Sequence, residues 1–384
     1  MNVLIVVQRY GEEVVGGSEG HARVVADRLA ARHRVEIATT TALDYWTWEA
    51  HYPAGTTTLE GIPLHRFAVE GGRSPEFKVF ETKLNGPDHG LADELAWPRV
   101  QGPHVPALYE FLHRDAGRFD AIVFYTYIYA PTVLGLPVVP EKAVLISTAH
   151  DELALGLAPY RALFHLPRAI GYLTPEERAL VHRRFHNEQV PGVVLGIGMD
   201  PPPAGDGAAF RARHAISGPL VAYLGQVTAG KGCDELIADW LVYRESGGDG
   251  TLVLAGNLGI TVPDRPDVRA LGRVSDAEKA DLLAAADVLV LPSHLESLGI
   301  VLLEAWQVGT PVLVPAWNPI TAGQVGRSTG GRIYASHEAF GDELRAVLAD
   351  SARFGEAGRR WVTDECAWEA FDQRLESLLE LVRV

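Results

Sequence analysis

Cysteine is nearly absent: the 384 residues include two, Cys233 and Cys366, far apart and without a CxxC or paired-histidine spacing. That argues against a disulfide framework or a cysteine-ligated zinc site and fits a reducing compartment. Positive charge is also short, with 34 Lys and Arg against 49 Asp and Glu and a net charge of −15. Such a balance argues against a nucleic-acid partner and weakens the case for docking on anionic lipid. No GxGxxG fingerprint follows the first apolar run, and His33 to Thr40 ends in threonines where a dinucleotide site would place an acid. A nicotinamide-dependent dehydrogenase is therefore disfavoured. The start, MNVLIVVQRY, lacks a basic region ahead of its short apolar run and reads as a strand rather than a signal peptide. Ala121 to Pro140 is uncharged and long enough to span a bilayer, but Pro131, Pro137 and Pro140 interrupt it. Strand plus loop fits it better than a membrane helix. The expectation is a soluble, cytoplasmic protein.

What is present is ordinary globular composition, 47% hydrophobic and 22% charged. The length suits two domains. The boundaries read as a first domain over 1–198, a linker over 199–210 that holds the proline run MDPPPAGDG, a second domain over 211–365, and a closing helix over 366–384.

The most informative stretch is 287–316, DVLVLPSHLESLGIVLLEAWQVGTPVLVPA. Two apolar strands without alternation flank a helix from about Leu298 to Val308, which indicates a parallel βαβ unit covered on both faces. Its turn lies where such sheets bind ligands, at the strand carboxyl end. It carries Glu296 and Glu304 around Gly299. Eight helical residues separate the carboxylates by ~12 Å and about 80° of rotation beyond two turns. A retaining glycosidase pair needs ~5 Å, so the two cannot share one bond, but they can hold opposite ends of an elongated ligand. The amides of Leu298, Gly299 and Ile300 at the helix start suit a phosphate between them.

The run S-H-L-E-S-L-G-I-V-L-L-E-A-W-Q-V-G-T-P-V resembles the E-x7-E region of retaining GT-B glycosyltransferases of the GT4 family. The resemblance implies an α/β fold of two Rossmann-like domains with parallel sheets facing an interdomain cleft, the acceptor bound by the first and the nucleotide sugar by the second. It implies Glu296 at the donor sugar and Glu304 on the ribose hydroxyls. The family's G-R-…-K-G segment corresponds to Gly225, Gln226, Lys231 and Gly232. Lys231 would then meet the diphosphate, whereas Gln226 is neutral where the family has arginine. Asn257 ends a strand facing the crevice, and the resemblance lays Arg273 and Val274 against the base.

In the first half, Gly16-Gly17-Ser18-Glu19 is a glycine-rich turn into a helix; Gly17 faces the donor phosphate or the acceptor, or the turn is plain structure. The loop ALDYWTWEAHYP, with Tyr45 and Trp46, either stacks on a sugar acceptor or packs beneath the next hairpin. Gly71 to Pro106 reads as a long irregular stretch beside the acceptor. His150-Asp151-Glu152 ends a parallel strand and forms the best catalytic-looking cluster of this half. By the resemblance His150 touches the donor sugar, while Asp151 and Tyr127 are expected near the acceptor; the alternative is a histidine paired to Asp151 that orders the loop. Thr174-Pro175-Glu176-Glu177 is a structural helix cap. Asn318 to Gly331 reads as a polar loop.

The expected reaction is transfer of a sugar, UDP- or GDP-linked, to a hydroxyl acceptor with retention and without a metal or cofactor, since no D-x-D occurs. Bacterial polysaccharide, glycoconjugate or natural-product synthesis is the expected setting. A sugar-nucleotide epimerase and a non-catalytic sugar-nucleotide-binding protein are the alternatives.

Overall fold

Runs such as VLIV, AIVFY and VLVL bury every side chain, so they pair in parallel with helices covering both faces. The computed structural model describes residues 1–14 and 16–383 and divides into two units, 1–198 with 371–384, and 199–370. Position 384, the last residue of the expected closing helix, lies outside the described residues.

The first unit contains β1 (Asn2–Val6), β2 (Arg34–Thr40), β3 (Gly55–Leu59), β4 (Ile62–Phe67), β5 (Ala121–Tyr125), β6 (Ala143–Ile146), β7 (Ala169–Tyr172) and β8 (Gly192–Val194). They form one sheet in the order β3-β4-β2-β1-β5-β6-β7-β8, parallel except for β3 against β4. β3 was not foreseen: GTTTL has no apolar signal because it is an exposed edge strand. The 71–106 stretch is not irregular. It holds helices Phe77–Asn85 and Leu91–Gln101, joined where Phe77 stacks on Trp97 with centroids 5.5 Å apart. Its Gly and Pro residues mainly punctuate between the helices, although Pro98 lies inside one.

The second unit contains β9 (Leu220–Leu224), β10 (Thr251–Ala255), β11 (Val268–Gly272), β12 (Val288–Val290), β13 (Val312–Pro315) and β14 (Gly331–Tyr334). Their order is β11-β10-β9-β12-β13-β14, all parallel. The chain builds outward from β9 on one side, returns to β12 beside it, and builds outward on the other. The crevice beyond the carboxyl ends of β9 and β12 is therefore the topological switch point.

The last helix, Trp368–Glu380, joins the first unit from Phe371 onward. Arg28 Nε donates to Asp372 Oδ1 at 2.8 Å, and His33 Nε2 lies 3.0 Å from Glu376 Oε1. The Arg28 guanidinium holds the Asp372 carboxyl below the usual carboxylate range despite its burial.

Candidate active site

In the second unit the loops after β9 and β12 are fitted together. Gly232 has φ +72°, and an added Cβ would lie 2.7 Å from the Pro292 carbonyl oxygen. Only glycine allows both that backbone and that approach. The fit places Lys231 beside the next loop, where its Nζ donates to Glu296 Oε1 at 2.8 Å. Side-chain exposure is 37% for Lys231 and 16% for Glu296, so the pair is partly shielded and reachable from solvent. The sequence assigned each of these groups to a ligand; the fold joins them to one another.

Gly299, at φ +67°, caps the helix Ile300–Gln307, which starts two residues later than expected. Among the described residues, the amides of Leu298, Gly299 and Ile300 donate to no protein acceptor. Two buried amide side chains hold this loop and were missed in the sequence. Asn318 Nδ2 donates to the Ser293 carbonyl at 2.8 Å, and Gln324 Nε2 to the Leu298 carbonyl at 2.6 Å. Both come from 318–331, which is a helix, Pro319–Ser328, rather than a loop; Asn318 caps it through Ile320 N and Thr321 N. The Asn-Pro pair was its signal, an N-cap followed by proline at the first position.

Glu304 also has an unforeseen partner. Lys279 Nζ donates to its Oε1 at 2.8 Å from the helix Asp276–Ala285, which opens on a capping box between Ser275 and Glu278. The Gln226 side chain is exposed, while its carbonyl accepts from Tyr223 Oη at 2.7 Å. The Asn257 carbonyl accepts from Val227 N at 2.9 Å. Arg273 is exposed, makes no ion pair among the described residues, and adjoins half-buried Val274.

In the first unit, Gly17 is exposed at the start of the helix Gly17–Ala30. Gly16 makes room for buried Glu19: a Cβ there would lie 2.1 Å from Glu19 Oε2. Glu19 Oε1 accepts from Gln8 Nε2 at 2.9 Å, Arg9 Nε at 2.9 Å and Arg9 Nη2 at 2.5 Å. This buried ion pair, also missed in the sequence, locks the β1 exit to the helix. The Arg9 guanidinium lies 5.3 Å from the Tyr45 ring centre, and Tyr45 sits against Trp46, which is 54% exposed. Trp48, three residues beyond Tyr45, is fully buried and bonds the Gln101 carbonyl at 2.9 Å. The aromatic loop is therefore divided between an outward pair and an inward anchor.

At the end of β6, Thr148 takes a left-handed φ of +49°, an outlier for a β-branched residue. Buried Glu177 holds this exit, accepting from Ser147 Oγ at 2.5 Å, Ala149 N at 2.7 Å and Leu173 N at 2.6 Å. Burial pushes its carboxyl above the usual range. Thr174 caps the same helix through Glu177 N, as its sequence signalled. His150 Nδ1 lies 3.2 Å from Glu152 Oε1. Its carboxylate neighbour is thus Glu152 and not Asp151, which is exposed. Tyr127, expected near the acceptor, is fully buried against Tyr160 and Phe164, with its hydroxyl donating to Glu152 Oε1 at 2.8 Å, so its ring is closed to a ligand. Burial works to raise the Glu152 carboxyl, but the bonds from His150 and Tyr127 outweigh it and leave it below the ordinary value.

Among the described residues, no three His, Cys, Asp or Glu side chains gather as metal ligands, and no helix is long and apolar enough to cross a membrane.

The two α/β units define the GT-B class of fold. The structure is similar to that of sucrose-phosphate synthase from Thermosynechococcus elongatus, with a TM-score of 0.73, 18% identity, and 99% of this chain and 98% of that one covered. Residues 209–361, most of the second unit, match the family model "Glycosyl transferases group 1". The chain is similar to D-inositol 3-phosphate glycosyltransferase of Mycolicibacterium gilvum, at 26% identity over 315 residues, 73% of this chain and 67% of the relative. It is also similar to glycogen synthase of Mycobacterium tuberculosis, at 32% identity over 178 residues, 42% of each chain.

Proposed function

We propose that the protein is a retaining glycosyltransferase that moves a hexosyl or hexosaminyl group from a UDP- or GDP-linked sugar to a hydroxyl acceptor without a metal, in cytoplasmic synthesis of a polysaccharide, glycoconjugate or natural product. The observation that carries this reading is the Lys231–Glu296 pair at the β9/β12 switch point, beside three amides with no protein acceptor. The group 1 match and the relatives' activities support it.

On this reading an entering diphosphate competes for Lys231, and its oxygens take the amides of Leu298 to Ile300. Glu296, relieved of its lysine, orients the sugar and favours positive charge developing at the ring. Glu304, held by Lys279, accepts from the ribose hydroxyls; Arg273 and Val274 lie along the base. Gly17, Gln226 and Asn257 complete the donor contacts. On the first unit, His150, oriented by Glu152, is assigned to a sugar hydroxyl, and Tyr45, Trp46 and Asp151 to the acceptor. The bond from the anomeric carbon to the phosphate oxygen breaks as the acceptor oxygen bonds the same face. The acceptor proton goes to the leaving phosphate oxygen.

A thermal-shift screen of nucleoside diphosphates and their sugars, followed by an acceptor panel with NMR of the product anomer, tests this. Retained configuration in a transfer product is expected. Donor binding without transfer to any acceptor, or isomerisation with no acceptor present, would overturn it.

A further inference from the structure

For all the chain's negative charge, two arginine side chains beside a cavity have no carboxylate partner among the described residues. Arg161, His165, Arg184 and Phe185 line a volume of about 430 Å³ in the first unit. Arg161 belongs to the helix Ala158–Leu163, and His165 to the turn that leads into the amino end of β7. Arg184 and Phe185 form the last turn of Pro175–Phe185, which runs from the carboxyl end of β7 back towards the start of β8. The cavity therefore lies towards the amino ends of these strands, whereas His150 follows the carboxyl end of β6.

Neither the Arg161 nor the Arg184 side chain makes a hydrogen bond or ion pair with any described residue. The acid next along the chain, Glu188, pairs with neither. Some exposed arginines do find carboxylates, Arg118 with Glu36 at 2.7 Å and Arg213 with Asp281 at 2.6 Å, whereas Arg273, like Arg161 and Arg184, does not. Arg184 is placed by fit instead. Its Nη2 would lie 2.5 Å from a Cβ on Gly156, so the guanidinium rests against the turn Leu153–Gly156. Gln189 Nε2 donates to His165 Nδ1 at 2.9 Å, which leaves the ring proton on Nε2 as a donor. Phe185, stacked on Phe164 with centroids 4.6 Å apart, supplies a buried apolar wall.

We propose that this cavity binds a phosphate group carried by a ligand, at a site separate from the donor diphosphate. Two guanidinium forks and an imidazole N–H offer more donors than a carboxylate's two oxygens can take up, and they suit the larger oxygen set of a phosphate. Held near each other without a counter-charge, the two arginines repel, and a shared anion relieves that repulsion.

Inorganic phosphate titrated into the full chain at constant ionic strength, followed calorimetrically, tests the site. The proposal expects saturable binding, weakened at least about tenfold in R161Q/R184Q and unchanged in Lys231→Ala. Both arginines are exposed, and circular dichroism checks that the double variant folds; R161K/R184K, which keeps charge but loses the forks, should fall between. Wild-type binding by R161Q/R184Q, or loss in Lys231→Ala instead, overturns the proposal. Sedimentation with vesicles containing phosphatidylglycerol, against phosphatidylcholine alone, separates the sources. Retention that R161Q/R184Q abolishes assigns the phosphate to a lipid headgroup; phosphate binding without retention assigns it to a soluble ligand. Failure of both arms overturns the site.

Discussion

Lys231 Nζ donates to Glu296 Oε1 at 2.8 Å, joining the loops that leave two adjacent strands of the second unit. The lysine proposed to meet the leaving group and the carboxylate proposed to orient the sugar are thus held together by one hydrogen bond. Partly exposed, the pair contributes only about 1 kcal/mol to folding. Glu296→Gln should therefore shift the melting temperature little while lowering kcat about 100-fold. Lys231→Ala should lower kcat/KM comparably, and the double variant should lose more than the two singles combined, because either single already frees the bond that an entering diphosphate has to break. Strict additivity in that kinetic cycle would show that the pair does not act as a unit.

The second carboxylate makes a different forecast. Glu304 is held by Lys279 at 2.8 Å and is assigned to the ribose, away from the bond that breaks. Interactions equal in ground and transition states change KM and leave kcat alone. Glu304→Gln should raise the donor KM about tenfold with kcat retained, and Lys279→Ala should do the same more weakly. A fall in kcat with KM unchanged would move Glu304 into the chemistry.

Much of this arrangement was legible before any coordinates. Non-alternating apolar runs declare buried parallel strands, and the Ser275 helix start follows from local rules, while the helix behind Gly299 starts two residues later than its pattern suggests. What stayed hidden is what depends on distant partners. Lys231 and Glu296 are 65 residues apart, and Lys279 and Glu304 are 25 apart, so no local pattern couples them. Tyr127 turns inward, and nothing local beyond β5 marks its ring as buried. The helices within 71–106 were lost to glycines and prolines that end helices as readily as they fill loops. The polar edge strand β3 has no burial to announce it.

Gln324 offers a test of the supporting layer. Its buried Nε2 bonds the Leu298 carbonyl at 2.6 Å, fixing the turn whose three amides have no acceptor among the described residues. Gln324→Leu keeps similar volume but leaves that carbonyl unpaired, at a cost of about 1–3 kcal/mol. Donor affinity should fall with stability, and Gln324→Glu, which cannot donate when ionised, should behave like the leucine variant. Thermal melts beside donor titrations report both effects; intact donor binding in both variants would show that the turn holds itself.

His21 sets the expected response of the first unit to acid. Its Nε2 lies 2.9 Å from the Gly196 carbonyl, which can only accept, so the proton sits on Nε2, and Nδ1 accepts from Tyr125 Oη at 3.1 Å. Burial lowers its pKa from 6.5 to about 4, while the Gly196 bond works the other way. Below 6.5 the unfolded chain binds a proton that the folded ring refuses, so unfolding gains free energy as pH falls. The slope vanishes again below about 4, where both states are protonated. Full stability is thus present above 6.5, and about 3 kcal/mol is lost by the lower limit. Hydrogen-exchange protection of β1 and β5, followed across that window, should decline in the wild type. In His21→Gln, which keeps a donor for Gly196 but has nothing to titrate, this part of the decline should be absent. Parallel declines in the two proteins would mean that His21 is not the group that makes the first unit acid-sensitive.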